Sequence, residues 1–130
     1  MKYLIDTNIF IWFIEGDSLL PKKFEEIISD SDNEIYISIA SIWEITIKKS
    51  NGNLEFKKDF FKTLNLLLTN HNFELINISI ECLQYLENLP FIHKDPFDRI
   101  IYSTAKTENI TFLYTDKIFD EYENYFIINS

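Results

Sequence analysis

The sequence has few of the residues that interrupt or cross-link a fold. Its 130 residues include 2 Gly, 3 Pro and 1 Cys. Cys82 has no partner for an internal disulfide, which excludes a disulfide-stapled scaffold and is typical of a reducing cytoplasm. So little Gly and Pro excludes a linker-rich or disordered chain and leaves no glycine-rich phosphate loop, which argues against a flavodoxin-like phosphate binder. We expect one domain spanning residues 1–130.

Long apolar runs and export signals are also missing. No run approaches the roughly 20 residues that a membrane helix needs, and the N-terminus lacks the basic and apolar segments of a secretion signal. We therefore expect no membrane association. Zinc-ligand spacing is absent too, because Cys82 is alone and His71 and His93 lie far apart in the sequence. Hydrophobic residues still make up 46% of the chain, which is enough for a substantial core.

Positive charge is scarce as well. The chain has 12 basic and 21 acidic residues, for a net charge of -9. This balance argues against gripping nucleic acid by bulk electrostatics. It is also what a cluster of metal-binding carboxylates would produce, because a bound cation offsets part of the charge. The lysine pairs at 22–23, 48–49 and 57–58 are either a rim that contacts phosphate or solvated helix faces.

Short apolar runs alternate with helical patterns along the chain. Strands are predicted at Lys2–Ile5, Glu34–Ser38, Phe73–Ile78, Thr111–Tyr114 and Tyr125–Ile128. Helices are predicted at Thr7–Ile14, Lys22–Ser29, Ser41–Lys49, Asp59–Asn70, Ser79–Asn88 and Pro96–Glu108, with a helical turn at Asp116–Glu121. Short, mostly apolar strands are typical of sheets covered on both faces. The pattern predicts an α/β fold with a mainly parallel central sheet between layers of helices.

Acidic side chains recur where predicted strands end or helices begin. Asp6 follows the first strand, and Glu44 lies one turn into the helix after the second. Asp95 and Asp98 open the helix before the fourth strand, and Asp116 follows that strand. The carboxyl ends of parallel strands share one sheet edge, where α/β proteins bind ligands. Carboxylates gathered there repel one another, and a hard cation such as Mg²⁺ or Mn²⁺ removes that penalty. The pattern therefore indicates a divalent-metal nuclease.

Each of these acids also has a structural alternative as a helix cap. Ser41 and Glu44 match a capping box, and Asp95 precedes a proline as an N-cap residue does. Asp116 is placed to cap its own turn. Capping explains Asp95 best, but it does not explain why so many acids meet at one edge of the sheet.

Four motifs occur in an order that resembles the PIN-domain ribonucleases. They are Leu4-Ile5-Asp6-Thr7-Asn8, Trp43-Glu44, His93-Lys94-Asp95-Pro96-Phe97-Asp98-Arg99 and Thr115-Asp116. The Asp-Pro-Phe-Asp-Arg form and the chain length resemble the VapC-type toxins of toxin–antitoxin modules. The resemblance implies a three-layer α/β/α sandwich and an endoribonuclease that depends on Mg²⁺ or Mn²⁺. It also implies an antitoxin partner and a homodimer, with helix Ile9–Ile14 and segment Phe60–Leu68 as candidate contact surfaces.

The same resemblance implies a role for each motif residue. The acidic quartet is Asp6, Glu44, Asp98 and Asp116. Asp6 and Asp98 are expected to bind metal directly, and Glu44 and Asp116 directly or through water. Supporting roles are expected for Thr7, Asn8, Asp95, Arg99 and Thr115. For Arg99, a structural salt bridge is favoured over a phosphate contact, and His93 is a minor candidate for substrate contact or proton transfer. The alternative function is a catalytically silent PIN-like module that binds RNA or protein.

Overall fold

The computed structural model describes the backbone of residues 1–129 and their side chains, except those of Asn70 and residues 125–129. The strands are β1 (Lys2–Ile5), β2 (Glu34–Ser38), β3 (Phe73–Ile76) and β4 (Thr111–Leu113). The helices are α1 (Thr7–Glu15), α2 (Lys22–Ser29), α3 (Ile39–Ser50), α4 (Phe60–Asn70), α5 (Ile80–Glu87), α6 (Pro96–Thr107) and α7 (Ile118–Asn129). None of these helices is both long enough and apolar enough to span a membrane.

All four strands of the sheet run parallel, in the order β3-β2-β1-β4. The chain adds β2 and β3 on one side of β1 and then places β4 on the other side. The strand order therefore reverses between β1 and β4, and ligands of α/β proteins bind at the carboxyl ends of the strands beside such a reversal. Asp6 follows β1 directly, so its position at this crevice is set by a strand with neighbours on both sides.

Helices cover both faces of the sheet, which confirms the predicted α/β/α sandwich. Along β1, Ile5 belongs to one buried cluster and Leu4 to another, because neighbouring strand residues point to opposite faces. The Ile5 cluster includes Phe10 of α1 and Phe60 of α4. The Leu4 cluster includes Ile101 of α6. Because the central strand β1 is buried on both faces at Leu4 and Ile5, its sequence is an apolar run and does not alternate.

The predicted fifth strand is wrong, because Tyr125–Ile128 lies within helix α7. The run is rich in aromatic and β-branched residues, which favour strands. Tertiary packing decides otherwise. Phe119 and Tyr122, three residues apart on α7, are both buried with Tyr102 of α6, and this spacing is helical. The helical turn predicted at Asp116–Glu121 is the start of α7, and the helix continues through the apolar run.

Candidate metal centre

The predicted acids meet in a cleft of about 180 Å³ at the carboxyl edge of the sheet. Four helices, α1, α3, α6 and α7, and the connection after β4 supply its walls. The lining residues are Asp6, Thr7, Asn8, Glu44, Lys48, Asp95, Asp98, Asp116 and Phe119. Larger grooves lie elsewhere, such as one of about 280 Å³ lined by residues of α1, α4 and the segment before α4. The small cleft contains Asp6 and Asp98, the two acids whose pKa values are raised, so the chemistry is expected there.

Asp6 is the most buried acid of the cleft, with 4% of its surface exposed. It is the N-cap of α1, where Oδ1 accepts a hydrogen bond of 2.8 Å from the Ile9 N–H. Oδ2 accepts a second bond, of 3.1 Å, from the Thr115 N–H beyond β4. Burial raises the pKa of Asp6 to about 6, against the effect of these two donors, and the charges of Asp116 and Glu44 add to the rise. The carboxylate is therefore rigidly held and costly to ionise without a cation.

Asp95 and Asp98 stand at the start of α6 and have different surroundings. Asp95 is the N-cap, and its Oδ1 accepts from the N–H groups of Phe97 and Asp98 at 2.9 and 3.0 Å. The capping prediction for Asp95 is confirmed. Burial and, to a lesser extent, the charges of Asp95, Glu44, Asp6 and Asp116 together raise the pKa of Asp98 to about 7. Asp98 lines the same cleft as Asp6, Glu44 and Asp116, the acids of the other three motifs.

Glu44 lies in the second turn of α3 and is 8% exposed. The capping box predicted from Ser41 is wrong: α3 begins earlier, and its N-cap is Ser38, whose Oγ accepts from the Ala40 N–H. The Glu44 Oε2 lies 3.2 Å from the Nζ of Lys48. The Glu44 Oε1 is buried and has no hydrogen-bond partner among the described residues. An unpartnered carboxylate oxygen in a cleft of acids points to a ligand.

Asp116 is the most open member of the cluster, with its side chain 51% exposed. Its Oδ1 accepts from the Ile118 N–H, so it caps the turn that leads into α7. Its Oδ2 lies 3.3 Å from the Nε2 of His93, and the same nitrogen lies 3.0 Å from Asp98 Oδ2. His93, Asp98 and Asp116 each offer a ligand atom within 4.8 Å of the others.

The residues predicted to support the acids divide into two groups. Thr115 reaches Asp6 through its backbone N–H, and Asn8 lines the cleft. The Thr7 hydroxyl instead donates to the Ser41 Oγ at 2.9 Å, which ties α1 to α3. Arg99 is also turned away, because its guanidinium donates to backbone carbonyls and a tyrosine hydroxyl. The predicted Arg99 salt bridge does not occur among the described residues.

Two residues of the site, His93 and Lys48, were given little weight as candidates on the basis of the sequence. His93 is only 7% exposed and contacts two of the acids. The sequence could have pointed to His93 through its position two residues before Asp95, the N-cap of α6. Lys48 was noted only as one of several lysine pairs, although its spacing of four residues from Glu44 places the two on one helix face.

The donor atoms suit a hard divalent cation. Asp6, Glu44, Asp98 and Asp116 offer carboxylate oxygens, which Mg²⁺ and Mn²⁺ prefer. Glu44 Oε1 lacks a hydrogen-bond partner among the described residues, and the raised pKa values of Asp6 and Asp98 show that their charges are poorly compensated. A bound cation would correct both features. The residues present therefore match a divalent-metal site.

Several solved structures have the same fold. The chain is similar to VapBC2 from Rickettsia felis bound to a DNA fragment from its promoter, with 24% identity, a TM-score of 0.71 and coverage of 95% of both chains. A toxin–antitoxin complex from Klebsiella pneumoniae matches with 22% identity, a TM-score of 0.60 and coverage of 88% of this chain and 87% of the other. DNA-bound VapBC from Salmonella typhimurium matches with 15% identity, a TM-score of 0.64 and coverage of 92% and 91%.

Sequence comparison with curated proteins gives no match. Comparison with protein families does: the PIN domain model matches residues 3–125. This span runs from β1 into α7 and contains every acid of the cleft. The family predicted from the four motifs is thereby confirmed, and the chain belongs to the PIN domain family.

Proposed function

We propose that this protein is the toxin of a toxin–antitoxin pair and acts as a metal-dependent endoribonuclease in the cytoplasm. The observation that carries the proposal is the convergence of Asp6, Glu44, Asp98 and Asp116 in one cleft, with one buried oxygen of Glu44 left without a hydrogen-bond partner among the described residues. Membership in the PIN domain family and the similarity to VapBC complexes support the same function.

The acidic quartet is proposed to hold Mg²⁺ or Mn²⁺. Asp6 and Asp98 would bind the ion directly, and Glu44 and Asp116 directly or through water. When bound, such an ion lowers the pKa of a water molecule and stabilises the negative charge that develops on a phosphate under attack. The pKa of Asp98, about 7, is higher than that of Asp6, about 6, so Asp98 gains more than Asp6 from a compensating charge.

The chain's own residues keep the quartet in place before any ligand arrives. Two backbone N–H groups hold the two carboxylate oxygens of Asp6, one from α1 and one from the segment after β4. Asp95 caps α6 and so orients the turn that carries Asp98. Such support from fixed neighbours is what a precise metal site requires. We assign Asp95 and Thr115 this supporting role, and Asn8 a position at the cleft wall.

An antitoxin is the proposed protein partner. Similar solved structures are toxin–antitoxin and VapBC complexes. The groove of about 280 Å³ beside α1 and α4 is lined by apolar side chains that include Phe13, Ile14, Phe56 and Phe60. Lys57 and Lys58 line the same groove together with Glu15, so two positive charges face one negative charge there. An apolar groove with basic residues at its rim is suited to an amphipathic, acidic antitoxin segment. We also propose a homodimer, as the family resemblance implies.

Cleavage of RNA by the purified, antitoxin-free protein tests the proposed activity. Structured RNA should be cut in the presence of Mg²⁺ or Mn²⁺, and EDTA should stop the reaction. Glu44→Gln should lower the rate by about 100-fold or more, because it removes a charge from the metal-binding set. Asp32→Asn is the matched control, since Asp32 is an exposed acid in the loop before β2, and it should cut at the wild-type rate.

Two results would overturn parts of this proposal. Cleavage that survives both EDTA and Glu44→Gln would exclude the metal-dependent mechanism. RNA binding without cleavage of any RNA tested, in protein that binds Mn²⁺ normally, would instead favour a silent binding module.

A further inference from the structure

Arg99 is a buried cation whose hydrogen bonds to the described residues all go to neutral acceptors. It is 6% exposed and lies in the first turn of α6, beside Asp98. Its Nη2 donates to the Leu89 carbonyl at 3.1 Å, and its Nη1 donates to the carbonyls of Pro90 and His93 at 3.0 and 3.1 Å. The guanidinium also lies 4.2 Å from the ring centroid of Phe91. The rigid guanidinium of Arg99 thus bonds three carbonyls of the connection between α5 and α6 and fixes its path.

Tyr122 of α7 holds His93 from the other side. Its hydroxyl accepts from the His93 N–H at 2.9 Å and lies 3.4 Å from the His93 carbonyl. The same hydroxyl accepts from Arg99 Nη1 at 3.0 Å. Both backbone polar groups of His93 are therefore held by side chains of α6 and α7. Such a network, once every member is satisfied, rigidifies the segment that it holds.

The His93 ring is oriented as strictly as its backbone. Nδ1 accepts a hydrogen bond of 3.2 Å from the Asp95 N–H, so Nδ1 carries no proton. In a neutral imidazole the proton must then be on Nε2. Nε2 is the atom between the acids, 3.0 Å from Asp98 Oδ2 and 3.3 Å from Asp116 Oδ2. Neither contact has the alignment of a regular hydrogen bond, but the proton-bearing edge of the ring faces both carboxylates.

We propose that His93 is a positioning residue, held by Arg99 and Tyr122 as the Nε2–H tautomer, that sets the spacing of Asp98 and Asp116. The two acids come from different elements, the start of α6 and the connection after β4, and they repel each other. A fixed N–H between them opposes that repulsion and keeps both oxygens at the cleft. This inference rests on the proposed metal centre, because the spacing matters for the cation that the acids would hold.

The competing role for His93 is that of a metal ligand. Its Nε2 lies within ligand distance of the two acids. A ligand nitrogen cannot carry a proton, so this role would require the proton on Nδ1. The Asp95 N–H already occupies Nδ1, and the structure therefore favours the donor. The tautomer of His93 distinguishes the two roles without any measurement of activity.

Nitrogen-15 NMR of the imidazole ring tests the tautomer directly. The chain has 2 His, so His71→Gln leaves His93 as the only histidine and makes the assignment unambiguous. His71 is exposed at the end of α4, away from the cleft. Metal-free protein above neutral pH should show the Nε2–H tautomer. An Nδ1–H tautomer would overturn the proposal and support the ligand role.

Calorimetric titration with Mn²⁺ tests the spacing role. His93→Leu should weaken Mn²⁺ binding by about 10- to 100-fold, the usual effect of losing a group that orients metal ligands. His93→Gln retains an N–H donor at a similar reach and should bind Mn²⁺ within about threefold of the wild type. Tyr122→Phe should weaken binding in the same direction as His93→Leu. Tyr102→Phe is the control, because Tyr102 is equally buried but donates to Glu123 and not to His93.

The outcomes separate this inference from the proposed function. Wild-type protein that binds no Mn²⁺ would overturn the metal centre and the spacing role with it. Normal Mn²⁺ binding by His93→Leu, confirmed as folded by circular dichroism, would overturn the spacing role alone. Wild-type protein that binds Mn²⁺ but cuts no RNA would overturn the nuclease and leave the result for His93 standing.

Discussion

Glu44 and Lys48 lie one turn apart on α3, and the Lys48 Nζ is 3.2 Å from Glu44 Oε2. The second oxygen of the same carboxylate is buried and has no hydrogen-bond partner among the described residues. One oxygen of Glu44 is thus paired with the ammonium group of Lys48, and the other is available to a ligand of the cleft. Lys48 therefore competes with any metal ion that Glu44 would help to hold.

Lys48→Met should strengthen Mn²⁺ binding by roughly two- to fivefold at low salt, because it removes a positive charge beside the site. The free energy of unfolding should change by less than about 0.5 kcal/mol, as is usual for an ion pair between residues one turn apart. Calorimetry and urea unfolding measure the two effects. Lys62→Met, an exposed lysine on α4, should leave Mn²⁺ affinity unchanged. Weaker binding by Lys48→Met would show that the lysine supports the site.

Metal-free protein should lose stability as the pH rises from about 4 to about 7. The pKa values of Asp6 and Asp98 are raised from 3.8 to about 6 and about 7 in the folded state. The folded protein therefore holds more protons than the unfolded chain within this window, and its stability falls as they are released. The free energy of unfolding should drop by at least about 2 kcal/mol, since one pKa unit corresponds to about 1.4 kcal/mol. Urea unfolding in EDTA across this range measures it, and a rise in stability would contradict the prediction.

Asp98→Asn should stabilise the metal-free protein at pH 7.5 by about 1–3 kcal/mol, because it removes a charge that burial and neighbouring acids disfavour. Mg²⁺ should raise the melting temperature of the wild type and no longer raise that of the variant. Thermal unfolding with and without Mg²⁺ tests both effects. Asp32→Asn should match the wild type in each condition. A variant that is less stable in EDTA would show that Asp98 is mainly a structural residue of the helix start.

Asp95→Ala should have the opposite effect to Asp98→Asn, although the two acids are three residues apart. Asp95 is the N-cap of α6 and accepts from two backbone N–H groups. Its loss should cost about 0.5–2 kcal/mol of unfolding free energy. Measurement at pH 5, where Asp98 is largely protonated, separates the lost cap from the relief of charge repulsion. No loss of stability at that pH would refute the capping role.

The Thr7–Ser41 hydrogen bond is predicted to be structural. Thr7→Val leaves the buried Ser41 Oγ without its 2.9 Å partner and should cost about 1–3 kcal/mol. Adding Ser41→Ala should recover most of that loss, because both polar groups are then gone. Urea unfolding of the two single variants and the double variant completes the cycle. Additive losses in the double variant would show that the two side chains are not coupled and would contradict the predicted role of this hydrogen bond.

Much of the fold was readable from short stretches of sequence. The four parallel strands, the helices between them and the N-cap at Asp95 lie where local patterns place them, within a few residues. Apolar periodicity and capping act between residues no more than one or two turns apart, so the sequence displays them directly. The position of the acids at strand ends and helix starts can be read from such local patterns too.

The contacts that complete the cleft depend on residues far apart in the chain. Thr7 bonds to Ser41 across 34 residues, and His93 bonds to Tyr122 across 29. The first contact ties α1 to α3, and the second fixes the backbone of His93, whose ring lies against Asp98 and Asp116. Phe119 and Tyr122 likewise commit the last segment to a helix against its strand-like composition. By itself the sequence determined which acids the protein has and all of its elements except the last helix. Only the tertiary structure decided their partners, because these contacts join segments that are far apart in the chain and meet only when it is folded.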